Sequence, residues 1–338
     1  MRASTARLTN SPVRLAELAF PQSGRLIHRT RLAFIHLDNV LSFAKRDRDG
    51  RIDGYLVGWL PDECLVLLLH EGEAVNAVSL HSAGRSVVPI AEARRRMEAE
   101  AERSELAYCT APYEQLAWMY QSCAEPPNVR PVDARKPDAL FPALAHEQAT
   151  GVLELISNGR VSYLRFDGGN FAGGHFCNRP DSVPIPKYVE SLFHDTPDGH
   201  TPALSAALFS YRADLPTQAP AALIQTYRDL YWRITDAVEH EVPGEGKRRA
   251  QRVAAGLGAD HRAIDLLAAQ REAKLGESVV QPDELAQALG AWTKQLLEGV
   301  EIMMPGTAPQ VLRDATREHR YLLQSARFYE RLPWPVAW

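Results

Sequence analysis

Gly54-Tyr-Leu-Val-Gly-Trp-Leu-Pro-Asp-Glu-Cys-Leu-Val-Leu-Leu-Leu-His-Glu-Gly72 runs into Glu73-Ala-Val-Asn-Ala-Val-Ser-Leu80. About a hundred residues on, Gly151-Val-Leu-Glu-Leu-Ile-Ser-Asn-Gly-Arg-Val-Ser-Tyr-Leu-Arg-Phe-Asp-Gly168 runs into Gly169-Asn-Phe-Ala-Gly-Gly-His-Phe176. Each stretch reads as glycine, apolar strand, polar turn, apolar strand, an acidic residue with glycine, and a third strand. An internal repeat sets the architecture before any single motif does. Here it predicts an α+β chain with two tandem small antiparallel-sheet modules.

In the first copy, strands are predicted at 54–60, 64–70 and 74–80, with Pro61-Asp-Glu and Glu71-Gly72 as hairpin turns. Upstream, Phe34, Leu37, Leu41 and Ala44 fall at helical spacing. Downstream, Ile90, Ala93, Met97 and Ala101 stripe an otherwise charged helix, followed by a strand at 105–110 and a helix at 112–122. This module spans 25–124, behind a polar lead-in at 1–24 with a short helical stretch at 12–20. Residues 125–136 are rich in proline and charge and read as a linker.

The second module, 137–219, repeats the plan. A helix is predicted at 137–148, strands at 151–156, 161–166 and 170–176, a helix at 186–194 and a strand at 206–212. From 220 to 338 the strand signal disappears and helices are predicted at 220–239, 247–257, 260–274, 282–301 and 311–331. Gly244, Gly258, Gly276 and Gly306 fall at the breaks. Leu285, Leu289, Trp292 and Leu296 share a helical face suited to an all-α bundle. The repeat also suggests that the two sheets pack side by side and cover each other's edges.

The repeated pattern resembles the PATAN-type domain, a family of bacterial signalling proteins often found beside response-regulator receiver domains. The match runs from Ile35-His-Leu-Asp-Asn-Val-Leu through Gly54-Tyr-Leu to Glu71-Gly72-Glu-Ala-Val-Asn-Ala77, and again from Gly151-Val-Leu-Glu-Leu to Asp167-Gly-Gly-Asn-Phe-Ala172. It covers about two thirds of the chain. The chain carries no receiver signature, so phosphorylation-driven switching is not implied. The resemblance implies a regulatory, protein-interaction role and no catalytic residue.

Bulk composition narrows the function classes. The formal net charge is −4, which supplies no global basic field for nucleic acid or anionic membrane. No apolar run approaches the ~20 residues of a membrane span. The N-terminal Arg2, Arg7 and Arg14 lack the apolar run of a secretory signal, so a cytoplasmic location is expected. Cys64, Cys109, Cys123 and Cys177 form no CxxC pair and read as small buried hydrophobes.

Each candidate for chemistry has a plainer reading beside it. Asp47-Arg-Asp-Gly-Arg-Ile-Asp53 resembles the middle of a calcium loop, but Lys45 and Leu56 stand where its first and last acidic ligands belong, which favours a charged turn. His194, Asp195, Asp198 and His200 cluster possible metal ligands among turn residues. Gly168-Gly169 and Gly173-Gly174 flank a strand instead of opening a helix, so they read as hairpin glycines and not as a phosphate loop. Arg94-Arg-Arg96 is interleaved with Glu92, Glu98, Glu100 and Glu102 and reads as a solvated, ion-paired helix face. Ser42, Ser157, Ser191 and Ser210 lack a Gly-x-Ser-x-Gly elbow.

The chain's last residues, Pro333-Trp-Pro-Val-Ala-Trp338, make Trp334 and Trp338 candidate partner-binding residues, with docking onto the chain's own helices as the alternative. No catalytic, metal or cofactor residue is assigned. The leading expectation is a non-enzymatic adaptor in bacterial cytoplasmic signalling or motility, with an unidentified protein partner and the oligomeric state open. A nucleotide or metabolite sensor is the alternative, and an enzyme assembled from distant loops is the third reading.

Overall fold

The computed structural model describes residues 15–45, 51–133, 139–194, 204–271 and 278–336. The chain is α+β, with antiparallel sheets of six and five strands and a helical C-terminal region. It divides into two units, 1–216 and 217–338.

The first unit holds both sheets. In chain order it contains β1 (Gly24–Arg31), α1 (Leu37–Ala44), β2 (Gly54–Trp59), β3 (Glu63–His70), β4 (Glu73–His81), β5 (Gly84–Val88), α2 (Ile90–Ala99), β6 (Glu105–Thr110) and α3 (Tyr113–Ala124). The second copy follows as β7 (Asn128–Arg130), α4 (Leu140–His146), β8 (Gly151–Ser157), β9 (Arg160–Asp167), β10 (Asn170–Phe176), α5 (Ile185–Ser191) and β11 (Leu204–Phe209). The strand orders are β1-β6-β2-β3-β4-β5 and β10-β9-β8-β11-β7. Read from the β1 and β7 ends, the two sheets have one topology, except that β5 has no counterpart beside β10 among the described residues.

Two expectations are corrected here. The 125–136 linker contains β7, which pairs with β11 just as β1 pairs with β6. The described end of the 1–24 lead-in, from Leu15 on, is built into the core: Leu18 and Phe20 are buried, and Ala19 bridges to Arg160. Its carbonyls also accept hydrogen bonds, Leu18 from Trp59 Nε1 at 3.0 Å and Pro21 from the Tyr55 hydroxyl at 2.9 Å. The linker looks polar because β7 is an edge strand, and edge strands carry charge that blunts edge-to-edge pairing.

The repeat itself is sharper in space than in sequence. The turn equivalent to Glu71-Gly72 (φ 49° and 76°) is Gly168-Gly169 (φ 53° and 79°), one residue later than the Asp167-Gly168 pairing suggested by the sequence. With that shift, Gly151 follows Gly54 by 97 residues, and Gly169 follows Gly72 by the same 97. The reason glycine is needed also repeats. A Cβ at Gly72 would collide with the carbonyl of Ala44 at the end of α1, and a Cβ at Gly169 would lie 2.7 Å from Ala145 Cα near the end of α4.

The central strands bury both faces, which accounts for their near-continuous apolar runs. The inner faces of the two sheets share one core with α3: Tyr55, Val66 and Cys109 from the first sheet, Leu116 and Trp118 from α3, and Val152, Ile156 and Tyr163 from the second. The sheets therefore meet through their faces and not edge to edge. The outer face of the first sheet packs on α1 and α2 through Leu41, Ala93 and Met97. The outer face of the second packs on α4 and α5 through Leu144, Tyr188 and Val189.

The second unit is helical: α6 (Ala221–Glu241), α7 (Gly246–Leu257), α8 (Ala263–Leu267), α9 (Pro282–Glu301), α10 (Thr307–Thr316) and α11 (Arg320–Ser325). The apolar stripes predicted from the sequence meet around Trp292, which is fully buried, donates to the Ala250 carbonyl at 3.0 Å and lies 4.1 Å from the Tyr231 ring. Gln281 and Glu284 form a capping box that starts α9. The long helix predicted at 311–331 is broken. It begins at Thr307 behind Gly306 (φ 89°), and a short 3-10 turn at Arg317–His319 divides it from α11.

Candidate binding cleft on the second module

The outer face of the second sheet is incompletely covered. Helices α4 and α5 have seven residues each, against ten in α2. Between them lies a cleft of about 760 Å³, walled by Phe141 and Ala145 of α4, floored by Leu164 and Phe166 of β9, and closed by Phe171 of β10, Ile185 and Val189 of α5, and Phe193. Leu164 faces Gly174 across the β9–β10 ladder, so the edge strand places no side chain directly opposite it. At the equivalent place in the first module, 97 residues earlier, stands Ala77, fully buried with Ala93 and Met97; a cleft of about 410 Å³ on that module lies elsewhere, between the start of α1 and the end of α2.

The lining is aromatic, with its rings in ordinary stacked or edge-on contact by centroid distance. Phe141 lies 6.2 Å from Phe166 and 6.1 Å from Phe193, and Phe166 lies 6.2 Å from Phe171. Phe171 is 44 % exposed. Asn170 and Glu190 supply polar groups at the lining. An apolar cleft of this size with a few polar groups is the usual form of a ligand or side-chain pocket. The sequence reading did not single out these phenylalanines. A signal was present: 97 residues before Phe166 and Phe171 stand Leu69 and Ala74, so the two copies diverge where the cleft opens.

Beneath the cleft, on the inner side of the same strands, a polar–aromatic group joins β9 and β10 to α3. The Arg165 guanidinium lies 4.0 Å over the Tyr211 ring and 3.6 Å from Glu114. The Tyr211 hydroxyl donates to Glu114 at 3.2 Å. His175 lies 3.9 Å from Glu114 and packs on Trp118, with ring centroids 5.0 Å apart. Burial pushes the His175 imidazole below its ordinary pKa, partly offset by the Glu114 charge. The group ties the edge strand β10 to the shared core.

The remaining sequence candidates resolve as follows. Trp334 is half-buried against the helical core, the cis-docked arrangement, while Trp338 lies outside the described residues. Arg94 pairs with Asp38, Arg95 with Glu92, and Arg96 with Glu92 and Glu63 at 2.6 and 3.0 Å, so the basic triplet is neutralised. Asp47, Asp49 and Gly50, like Asp195, Asp198 and His200, lie outside the described residues. His194 is exposed, 4.0 Å from Glu190. Among the described residues, no group of three or more His, Cys, Asp or Glu is placed to hold a metal ion. Ser157 donates to the Leu192 carbonyl, Ser191 to that of Tyr188 and Ser210 to Glu125, which are structural contacts. All four cysteines are free and buried, and burial raises each thiol, Cys123 and Cys177 to about 11, which suppresses the reactive thiolate.

No helix among the described residues is long and apolar enough to cross a membrane. No protein-family model, curated protein or solved structure matches this chain.

Proposed function

We propose that this chain is a non-enzymatic adaptor in a bacterial cytoplasmic signalling or motility system, built from tandem PATAN-like modules, and that it contacts its partner through the Phe-lined cleft of the second module. The cleft carries the reading: in the first module the outer-face core around Ala77 is closed by Ala93 and Met97, while at the corresponding place in the second Phe171 stands exposed beside a Phe-lined cleft. Duplicated scaffolds that diverge at an exposed apolar cleft fit division of labour, with one copy supporting and the other binding. Four buried free thiols fit a reducing compartment.

The second reading is a small-molecule sensor, favoured by the cleft volume of about 760 Å³, which lies within the ordinary range for small ligands. Affinity capture of the tagged full-length chain, with Phe171→Asp in parallel, separates the two. A stoichiometric protein partner that is lost in a normally folded Phe171→Asp variant is the expected result. No captured protein, together with a metabolite that raises the melting temperature of the wild type and not of the variant, would replace the adaptor with the sensor.

A further inference from the structure

The two sheets differ in one strand. In the first, β4 is flanked by β5, with Ala77 opposite Val88 and His81 opposite Gly84. The equivalent of β4 in the second sheet is β10, the last strand in its sheet order. One row of β10 N–H and C=O groups therefore faces away from β9 with no neighbouring strand among the described residues. A bulge between Phe171 and Gly173 interrupts the ladder, and β10 pairs regularly from Gly173 to Phe176. A side chain at Gly173 would meet nothing within 4 Å. The free edge adjoins the cleft through Phe171.

The first module shows what such an edge accepts. There, β5 is five residues long, and its Val88 is buried in the outer-face core between sheet and helices. The edge of β10 and the cleft beside it present the same layout with the strand missing. Resting on the adaptor reading, we infer that β10 receives an added strand from a partner protein: an extended segment with apolar side chains at alternate positions, one of which enters the Phe-lined cleft. Main-chain hydrogen bonds would supply affinity and the cleft would supply selectivity, because successive strand residues point to opposite faces. A second copy of β10 is a poorer occupant. On the cleft side it offers Phe171, which already packs on Phe166 with ring centroids 6.2 Å apart, Gly174, which has no side chain, and Phe176, which already packs on Tyr188 at 5.7 Å.

The test uses the full-length chain and a display library of random nine-residue segments. Recovered segments are synthesised, and their binding is followed by affinity measurement and amide hydrogen exchange. Expected are segments with alternating apolar residues, exchange slowed at least tenfold across Gly173–Phe176, and affinity lowered at least tenfold by Phe171→Asp. The control Phe34→Asp, at a site 78 % exposed on the first module, should leave binding unchanged. Unchanged far-UV circular dichroism and melting temperature establish that both variants fold. Binding that depends on Phe171 but leaves β10 exchange unaltered would overturn the added strand and keep the cleft as the adaptor surface. Self-association through β10 that excludes the segments would overturn the partner strand. Failure to recover segments, or binding insensitive to Phe171→Asp, would overturn the added strand, while the adaptor reading itself stands or falls on capture of a full-length partner.

Discussion

Arg85 on β5 and Glu154 on β8 form a buried, two-pronged ion pair between the sheets, with both N–H···O distances at 2.7 Å. Arg85 also donates to the Ser122 carbonyl of α3 at 3.4 Å. Burial alone would push the guanidinium down, but the charge and hydrogen bonds of Glu154 outweigh it and hold Arg85 charged. Removing one partner leaves a buried charge alone, so Glu154→Gln is expected to cost about 3–5 kcal/mol. The double replacement Arg85→Met with Glu154→Leu is expected to be near neutral or stabilising. Urea unfolding of the three variants checks this. A Glu154→Gln loss no larger than a surface substitution would mean that the pair does not hold the sheets together.

The turn glycines make a graded set. Gly168 and Gly169 both have positive φ, but only Gly169 meets a backbone, that of α4. Gly168→Ala should cost about 1–2 kcal/mol for the left-handed backbone alone. Gly169→Ala and its counterpart Gly72→Ala should each cost more, because the helix end must also move. Equal melting-temperature losses for Gly168→Ala and Gly169→Ala would refute the close-approach argument.

His175 has a testable sign. Its folded-state pKa lies below the ordinary value of 6.5, because burial disfavours the imidazolium more than Glu114 favours it. The unfolded chain therefore protonates first as pH falls. The stability attached to a neutral His175 is present above about pH 6.5 and is lost as pH drops through the folded pKa. Chemical-shift titration should place His175 below 6.5, and Glu114→Gln should lower it further. An unshifted titration, or a rise in Glu114→Gln, would contradict this balance.

Trp334 packs against the helical core as a partly buried side chain. Trp334→Ala is expected to lower the stability of the helical unit by about 1–3 kcal/mol, less than the ~3–5 kcal/mol of a fully buried tryptophan. It should leave partner capture intact once folding is matched by lowering the temperature. Lost capture with unchanged melting would instead assign Trp334 to a partner.

Much of the architecture is legible in local pattern. Gly54-x-Leu and Gly151-Val-Leu mark strand starts, Glu71-Gly72 marks a turn, and the Leu285–Trp292–Leu296 stripe marks a bundle helix, because each depends on neighbours within a few residues. The strands β1, β5 and β7 were not legible. Arg25-Leu-Ile-His-Arg-Thr-Arg31 and Asn128-Val-Arg130 carry edge-strand charge, and Arg85 lends β5 a polar look although its partner, Glu154, lies 69 residues away. The cleft was legible only as a difference between copies, Phe171 against Ala74 and Gly174 against Ala77, whose meaning depends on which face each residue takes.

The sequence by itself determined the periodicities, the turns, the repeat and the absence of a strong catalytic motif, since these are set by short-range sterics and the alternation of apolar residues. Only the tertiary structure decided that the sheets share a core through their faces, that Leu18 and Phe20 join that core and residues 128–130 join the second sheet, and that a Phe-lined cleft opens between α4 and α5. Those outcomes follow from contacts between residues far apart in the chain, where burial, ion pairing and helix length compete and no local pattern records the result.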